Sequence, residues 1–82
     1  MNITVLFFSL FREKTGVNEL FLELDEIDAT VAEALTKLFE SYEGLRSWEN
    51  KMLIAVNCEY ADGTAVLRDG DELALMPPVQ GG

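Results

Sequence analysis

Apolar and polar residues alternate along this chain in several short stretches of the kind that form β-strands. The stretch "NITVLFFSLF" near the start is rich in β-branched and aromatic residues and predicts a strand that enters the core. "ELFLEL" has a period of two, which places its leucines on one side and Glu19, Phe21 and Glu23 on the other. The connection between them is short and contains Gly16, so we expect a hairpin-like pair. "MLIAVN" predicts a third strand, and "ELALM" predicts the last one.

The segment after the second strand has helical periodicity. Thr30 and Glu33 have the spacing of a capping box, in which each side chain can bond the other's backbone N–H. The apolar residues that follow share one helical stripe: Val31, Ala34, Leu35, Leu38, Phe39 and Tyr42. Gly44 is placed to end this helix in a left-handed conformation. We expect the polar stretch "RSWENK" to be a loop, and Asp62-Gly63 and Asp69-Gly70 to form turns.

This order of elements, strands followed by one helix and then more strands, predicts an α+β fold. The first and last strands are the most apolar, so we place them side by side in the centre of the sheet. Together with analogy for the strand order, this gives a β-grasp (ubiquitin-like) mixed sheet with one main helix packed on one face. Residues 1–76 are then the folded domain, and residues 77–82 are an extended tail that leaves from a central strand.

Length and charge narrow the range of partners. The chain has 82 residues, of which 49% are apolar, enough for one small domain with a core. Its 15 acidic and 6 basic residues give a net charge of −9, which argues against binding to nucleic acid or to an anionic membrane. A basic protein partner is compatible with this charge. No apolar run approaches the roughly 20 residues that span a membrane, and the first residues do not resemble a signal peptide.

The single cysteine, Cys58, excludes an internal disulfide and fits a reducing, cytoplasmic compartment. We expect Cys58 to be a small buried or half-buried residue. The chain has no histidine, so it lacks Ser/His/Asp and Cys/His arrangements, and no metal-ligating cluster is visible. The acidic group of Asp69, Asp71 and Glu72 is interpreted as a solvated turn.

The C-terminal residues are the one stretch that suggests chemistry. Pro77 and Pro78 end the strand ladder and stiffen the base of the tail, because neither can donate a backbone hydrogen bond. Val79 and Gln80 provide reach. Gly81 and Gly82 have no side chains, so they can enter a narrow channel of a partner. The tail is therefore predicted to present the Gly82 carboxylate, and an ATP-dependent partner could activate that carboxylate as an acyl-adenylate.

Four stretches resemble the small, sulfur-carrying subunit of molybdopterin synthase, the MoaD family. They are "VLFFSLFREKTG", "TVAEALTKL", "AVN" and "LRDGDELALMPPVQGG", and they span essentially the whole chain in the family's order. The combination of "DGDE", an apolar strand, "PPV" and a final "GG" is the specific part of this resemblance.

The resemblance implies a sulfur-transfer cycle. An adenylyltransferase related to ubiquitin-activating enzymes would use ATP to adenylate the Gly82 carboxyl, and a sulfur-transfer system would convert it to a thiocarboxylate. The thiocarboxylated protein would dock on the large synthase subunit within a heterotetramer. It would then pass sulfur to cyclic pyranopterin monophosphate to build the molybdopterin dithiolene. The carrier itself would bind no cofactor and would not be an enzyme on its own.

Strand alternation predicts a docking surface near the tail. If Val5 and Phe7 face the core, Phe8 lies outside, and Met76 lies on the open side of the last strand. With Tyr60, these residues would form an exposed apolar patch, and the resemblance places the matching positions in the subunit interface. Arg12 is expected to form a structural salt link.

Three other functions remain open at this stage. The chain could carry sulfur for thiamine or cysteine synthesis, since such relatives share the fold and the Gly-Gly end. It could be a protein modifier conjugated to lysine through Gly82. It could also be a plain interaction domain, for which deletion of Gly81 and Gly82 would be harmless.

Overall fold

Five strands and two α-helices make up the part of the chain that the computed structural model describes, residues 1–78. The predicted tail residues Val79, Gln80, Gly81 and Gly82 lie outside the described residues. The elements are, in chain order, β1 (Asn2–Phe7), α1 (Leu10–Thr15), β2 (Glu19–Glu23), α2 (Val31–Ser41), a 3₁₀ helix (Glu43–Trp48), β3 (Leu53–Val56), β4 (Glu59–Ala61) and β5 (Glu72–Met76).

The strands form one mixed sheet in the order β2-β1-β5-β3-β4. β1 and β5 pair in parallel, with Val5 opposite Leu73 and Phe7 opposite Leu75, and the other neighbours are antiparallel. The first and last strands are therefore neighbours inside the sheet, which confirms the predicted arrangement. This is the α+β, β-grasp architecture expected from the order of the elements.

The core lies between the sheet and α2. The inward-facing residues of the two central strands are almost completely buried, and the helical stripe predicted from the sequence covers them. All the stripe residues of α2 itself are buried, and Tyr42, just past its end, is half-buried. The alternation predicted for β2 is also confirmed, because Leu22 and Leu24 are buried while Glu19, Phe21 and Glu23 are exposed.

The two ends of α2 differ in how well the sequence predicted them. At the start, the Thr30 side chain accepts a hydrogen bond from the Glu33 backbone N–H at 3.3 Å, which is one half of the predicted capping box. At the other end the prediction for Gly44 is wrong. The helix ends at Ser41, and Gly44 lies inside the 3₁₀ helix without a positive φ. The cause is Leu45, which is fully buried and draws this segment onto the core.

The predicted short connection between β1 and β2 is also wrong, although the two strands do pair. β1 ends at Phe7, Ser9 has a φ of 50°, and α1 follows before β2 begins. Phe11 is completely buried in α1 and packs edge-on against Trp48 with ring centroids 5.7 Å apart. This contact also accounts for the 3₁₀ helix that forms where the polar stretch "RSWENK" predicted a loop.

We expect Leu75→Ala to reduce the free energy of unfolding by about 2–5 kcal/mol, because Leu75 has no exposed surface and its loss leaves a cavity at the sheet centre. Urea denaturation measures the change. The control is Ile27→Ala, since Ile27 is 87% exposed and its truncation should cost less than about 0.5 kcal/mol. Equal losses in the two variants would contradict this description of the core.

Candidate functional site

An open apolar cavity of about 270 Å³ lies on the face of the sheet that α2 does not cover, beside the end of β5. It is lined by Phe8, Ala55, Cys58, Tyr60, Ala74 and Met76. The structure therefore brings together the three residues that strand alternation predicted as an exposed patch. We call this feature the apolar cavity.

The floor of the apolar cavity consists of two alanines that face each other across the sheet. Ala74 of β5 is opposite Ala55 of β3, and Ala55 is opposite Tyr60 of β4. Since directly opposite residues of paired strands share a face, this row runs from the centre of the sheet to its β4 edge. Small residues in the middle and larger ones around them produce the hollow.

Phe8 and Met76 form the wall of the cavity nearest the tail. The backbone N–H of Phe8 donates to the Leu75 carbonyl at 3.2 Å, which extends the β1–β5 pairing by one residue and holds Phe8 beside β5. Phe8 is 40% exposed, Tyr60 is 77% exposed and Met76 is half-buried. Tyr60 belongs to β4 itself, so it stands on an edge strand with its ring available to a partner.

The prediction that Cys58 is buried or half-buried is wrong. Cys58 is exposed at the tip of the two-residue turn between β3 and β4, where Asn57 and Cys58 have φ values of 50° and 71°. Positive φ at both central residues is the signature of the turn that matches the twist of paired strands. The signal in the sequence that could have revealed this turn is the length of the connection, since two residues, Asn57 and Cys58, separate β3 from β4.

A second, more polar cavity of about 450 Å³ lies on the other side of Tyr60. It is lined by Val56, Asn57, Glu59, Tyr60, Ala61, Ala65, Val66, Arg68 and Asp71. In the turn after β4, hydrogen bonds from the Thr64 hydroxyl and, to a lesser extent, from the Thr64 backbone N–H lower the pKa of Asp62 from its usual value. Tyr60 thus lines both cavities.

The acidic turn before β5 has a structural role, as predicted. Asp69 Oδ1 accepts the Asn2 backbone N–H at 2.7 Å, and Asp71 Oδ2 accepts the Arg68 backbone N–H at 2.8 Å. Within residues 1–78, no group of three His, Cys, Asp or Glu side chains is placed to hold a metal ion. None of the helices described there is long and apolar enough to cross a membrane.

The structural salt link predicted for Arg12 is not formed in the described part of the chain. The ion pair found there joins Arg46 to Glu43, with Nε and Oε1 3.1 Å apart. Arg12 instead lies exposed on α1, and its backbone carbonyl accepts the Gly16 N–H at 2.9 Å. At φ 79°, Gly16 ends that helix in the left-handed conformation.

The base of the tail continues directly from the wall of the apolar cavity. Met76 is the last residue of β5, and the half-buried Pro77 and Pro78 follow it outside the sheet. A β-grasp domain with a parallel central strand pair, whose last strand ends beside an exposed apolar surface, defines the ubiquitin-like class of proteins. The chain matches the ThiS family over residues 5–82 and belongs to that family.

Similarity to individual proteins extends over the full chain. It is 37% identical to the molybdopterin synthase sulfur carrier subunit of Chlamydomonas reinhardtii, with 100% of both chains covered. Among solved structures, SAMP1 of Haloferax volcanii, a small archaeal modifier protein, superimposes with a TM-score of 0.88 at 29% identity, again with 100% of both chains covered. One chain in the structure of a complex of subunits 1 and 2 of the molybdopterin-converting factor from Helicobacter pylori matches with a TM-score of 0.70 at 30% identity. The match covers 100% of the present chain and 100% of that chain.

We expect the Cys58 thiol to react fully with a disulfide reagent in the native protein, because it is exposed beside the apolar cavity. The measurement is the number of thiols titrated with and without denaturant. One reactive thiol under both conditions is the expected result. A thiol that reacts only after denaturation would contradict the exposed position of Cys58.

Proposed function

We propose that this chain is the sulfur carrier subunit of molybdopterin synthase. The observation that carries the proposal is the position of the base of the tail: Pro77 and Pro78 follow the central strand β5 at the wall of an exposed apolar cavity. A partner that covers the cavity therefore receives the tail at a defined place and in a defined direction. The full-length similarity to molybdopterin synthase sulfur carrier subunits supports the same assignment.

The proposed chemistry takes place at the carboxyl group of Gly82. An adenylyltransferase related to ubiquitin-activating enzymes joins this carboxylate to AMP from ATP and releases pyrophosphate. Sulfide then attacks the acyl carbon, AMP leaves, and the product is the thiocarboxylate. Gly81 and Gly82 pass through narrow channels of the partners because they lack side chains, while Val79 and Gln80 span the distance from Pro78. The carrier needs no cofactor of its own for these steps.

The folded domain supplies docking, and its partner supplies the active site. Phe8, Tyr60 and Met76 provide the apolar contacts with the large subunit, and the stiff Pro77-Pro78 pair directs the tail into its active site. Tethering the thiocarboxylate in this way makes sulfur delivery to the pyranopterin an oriented, effectively intramolecular step. The Helicobacter pylori complex of two subunits supports such an assembly, for which we propose a heterotetramer in the cytoplasm.

The carrier chemistry predicts a change of mass at one residue. Incubation with ATP, the adenylyltransferase and a sulfide source should replace one oxygen of the chain by sulfur, because the thiocarboxylate forms at Gly82. Intact mass spectrometry with fragmentation locates the change. The thiocarboxylated protein, mixed with the large subunit and cyclic pyranopterin monophosphate, should then yield molybdopterin.

The control for this experiment is the chain without Gly81 and Gly82. It should keep the melting temperature of the full chain, because the deletion leaves β5 and every core residue in place, and it should gain no sulfur. An unchanged mass of the full chain in the presence of a demonstrably active adenylyltransferase would exclude the proposed carrier role.

Docking through the apolar cavity predicts that Tyr60→Glu weakens binding to the large subunit. The affinity should fall roughly tenfold or more, since a carboxylate at the centre of an apolar contact loses its hydration without gaining a partner. Isothermal titration calorimetry with the purified large subunit measures the change.

Phe21→Glu is the matched control. Phe21 is 75% exposed, close to the 77% of Tyr60, and it stands on the same open face but on the opposite edge strand, β2. It should therefore bind the large subunit like the unaltered chain. Equal losses in the two variants would indicate a general effect of added negative charge and would contradict the cavity as the docking site.

Conjugation to proteins is a second candidate function, favoured by the similarity to the small archaeal modifier SAMP1. In that case Gly82 would form an isopeptide bond with a lysine of a target protein. Affinity purification of the tagged chain from cells, followed by tryptic digestion and detection of lysines that carry residues 69–82, distinguishes the two functions, because Arg68 is the last tryptic site of the chain. A carrier for thiamine or cysteine synthesis would acquire the thiocarboxylate but would not convert the pyranopterin.

A further inference from the structure

Two distant stretches of the sequence meet beside Tyr60. The stretch "AVN" ends at Asn57 in the turn between β3 and β4, and "DGDE" ends at the first residue of β5. Asn57 Nδ2 donates to Asp71 Oδ1 at 2.9 Å, and the Glu72 backbone N–H donates to Asn57 Oδ1 at 2.9 Å. The Asn57 backbone N–H also donates to the Glu72 carbonyl at 2.9 Å. We call this set of bonds the Asn57–Asp71 clamp.

Both ends of the clamp are fully engaged. The second carboxylate oxygen of Asp71 accepts the Arg68 backbone N–H at 2.8 Å, so each oxygen of this side chain has a backbone or amide donor. Bonds to an ionised acceptor are about twice as strong as neutral ones. The Asn57 amide uses its oxygen and its nitrogen at the same time. Neither side chain can rotate without losing bonds on both sides.

The clamp holds a turn whose backbone is costly for its residues. Asn57 and Cys58 both have positive φ, and of the two only asparagine tolerates this region well. The strand that follows, β4, has three residues, lies at the edge of the sheet and, among the strands of residues 1–78, has β3 as its single neighbour. With so few bonds of its own, β4 depends on the turn for its position.

The clamp therefore sets the geometry of the apolar cavity. The clamped turn carries Cys58 and leads to Tyr60, which form one wall of the cavity. The other end of the clamp is the start of β5, which supplies Ala74 and Met76 to the same cavity. β3 lies between Tyr60 and β5, so the strand ladders fix their spacing, and the bonds between Asn57 and residues 71–72 tie the turn that leads to Tyr60 directly to the start of β5.

We propose that Asn57 and Asp71 are positioning residues for partner docking: they hold the Tyr60 wall at a fixed place relative to β5, so that the apolar cavity is formed before the large subunit binds. This inference rests on the proposed function. A preformed surface binds more tightly than one that must be ordered on contact, because less conformational entropy is lost. Neither residue takes part in the chemistry at Gly82.

An exchange of the two side chains tests the proposal. Asn57→Asp places two acceptors against each other, and Asp71→Asn places an amide donor against either Asn57 Nδ2 or the Arg68 N–H. The double variant Asn57→Asp/Asp71→Asn restores a donor opposite every acceptor: the new amide at position 71 donates to the new carboxylate at position 57, which still accepts from the Glu72 N–H.

The measurements are the Kd for the purified large subunit and, with the thiocarboxylated carrier, KM and kcat for molybdopterin formation. We expect each single variant to bind roughly tenfold more weakly, and the double variant to return to within about threefold of the unaltered chain, as interacting pairs do in double-mutant cycles. KM for the carrier should follow Kd, while kcat stays unchanged, because the tail chemistry is intact.

The matched control is Asp69→Asn in the same turn. It disturbs the hydrogen bond between the Asp69 side chain and the Asn2 backbone N–H of β1, and it leaves the bonds to the β3–β4 turn in place. It should bind the large subunit like the unaltered chain, even where its melting temperature falls. Single variants that lose melting temperature but keep Kd would overturn the proposal, and so would a double variant that regains stability without regaining affinity. In either case Tyr60→Glu should still weaken binding, so the proposed function would stand without the positioning role of the clamp. Failure of the unaltered chain to bind the large subunit would refute the proposed function itself.

Discussion

The parallel pairing of β1 with β5 is the interaction on which the rest of this structure depends. It joins the two ends of the chain in the middle of the sheet, with Val5 opposite Leu73 and Phe7 opposite Leu75. These side chains are removed from water and are covered by the apolar stripe of α2. Because parallel strands cannot be joined by a tight turn, everything between them must fold onto the sheet or extend it. The same pairing brings Phe8 to the end of β5, where the tail begins.

The two faces of the sheet serve different purposes. The inner face supplies the hydrophobic core, whose burial is the main favourable term in folding. The outer face of the same strands carries a second apolar surface, with Ala55 and Ala74 as its floor and larger side chains around it. Ala55 is buried but is not part of the main core, so its burial comes from the outer side. Period-two alternation allows one short strand to serve both surfaces.

The domain separates recognition from reactivity. Within residues 1–78 the buried set contains no polar or charged residue, so the ionisable groups described there remain at the surface. Such a scaffold needs no tuned side chain, since in the proposed cycle the reactive group is a main-chain carboxyl on a tail. A net charge of −9 favours solubility, and in the proposed cycle it would speed encounter with a basic partner. Precision at the site then comes from backbone pairing and from the Asn57–Asp71 clamp.

The sequence by itself determined the features that depend on local patterns. Alternation predicted β1, β2, β3 and β5 and the faces of Phe8 and Met76, and helical periodicity predicted α2, whereas the short strand β4 was not predicted. The extended, reactive tail that the Pro-Pro and Gly-Gly pairs indicate stays a prediction. Tertiary structure decided the features that depend on contacts between distant residues. α1 forms where the end of the first strand and a short connection were expected, because Phe11 packs against Trp48, and the exposed Cys58 turn is held by bonds from Asn57 to residues 71–72. Local periodicity contains no information about such contacts, because the free energy that favours them arises only when the chain has brought both partners together.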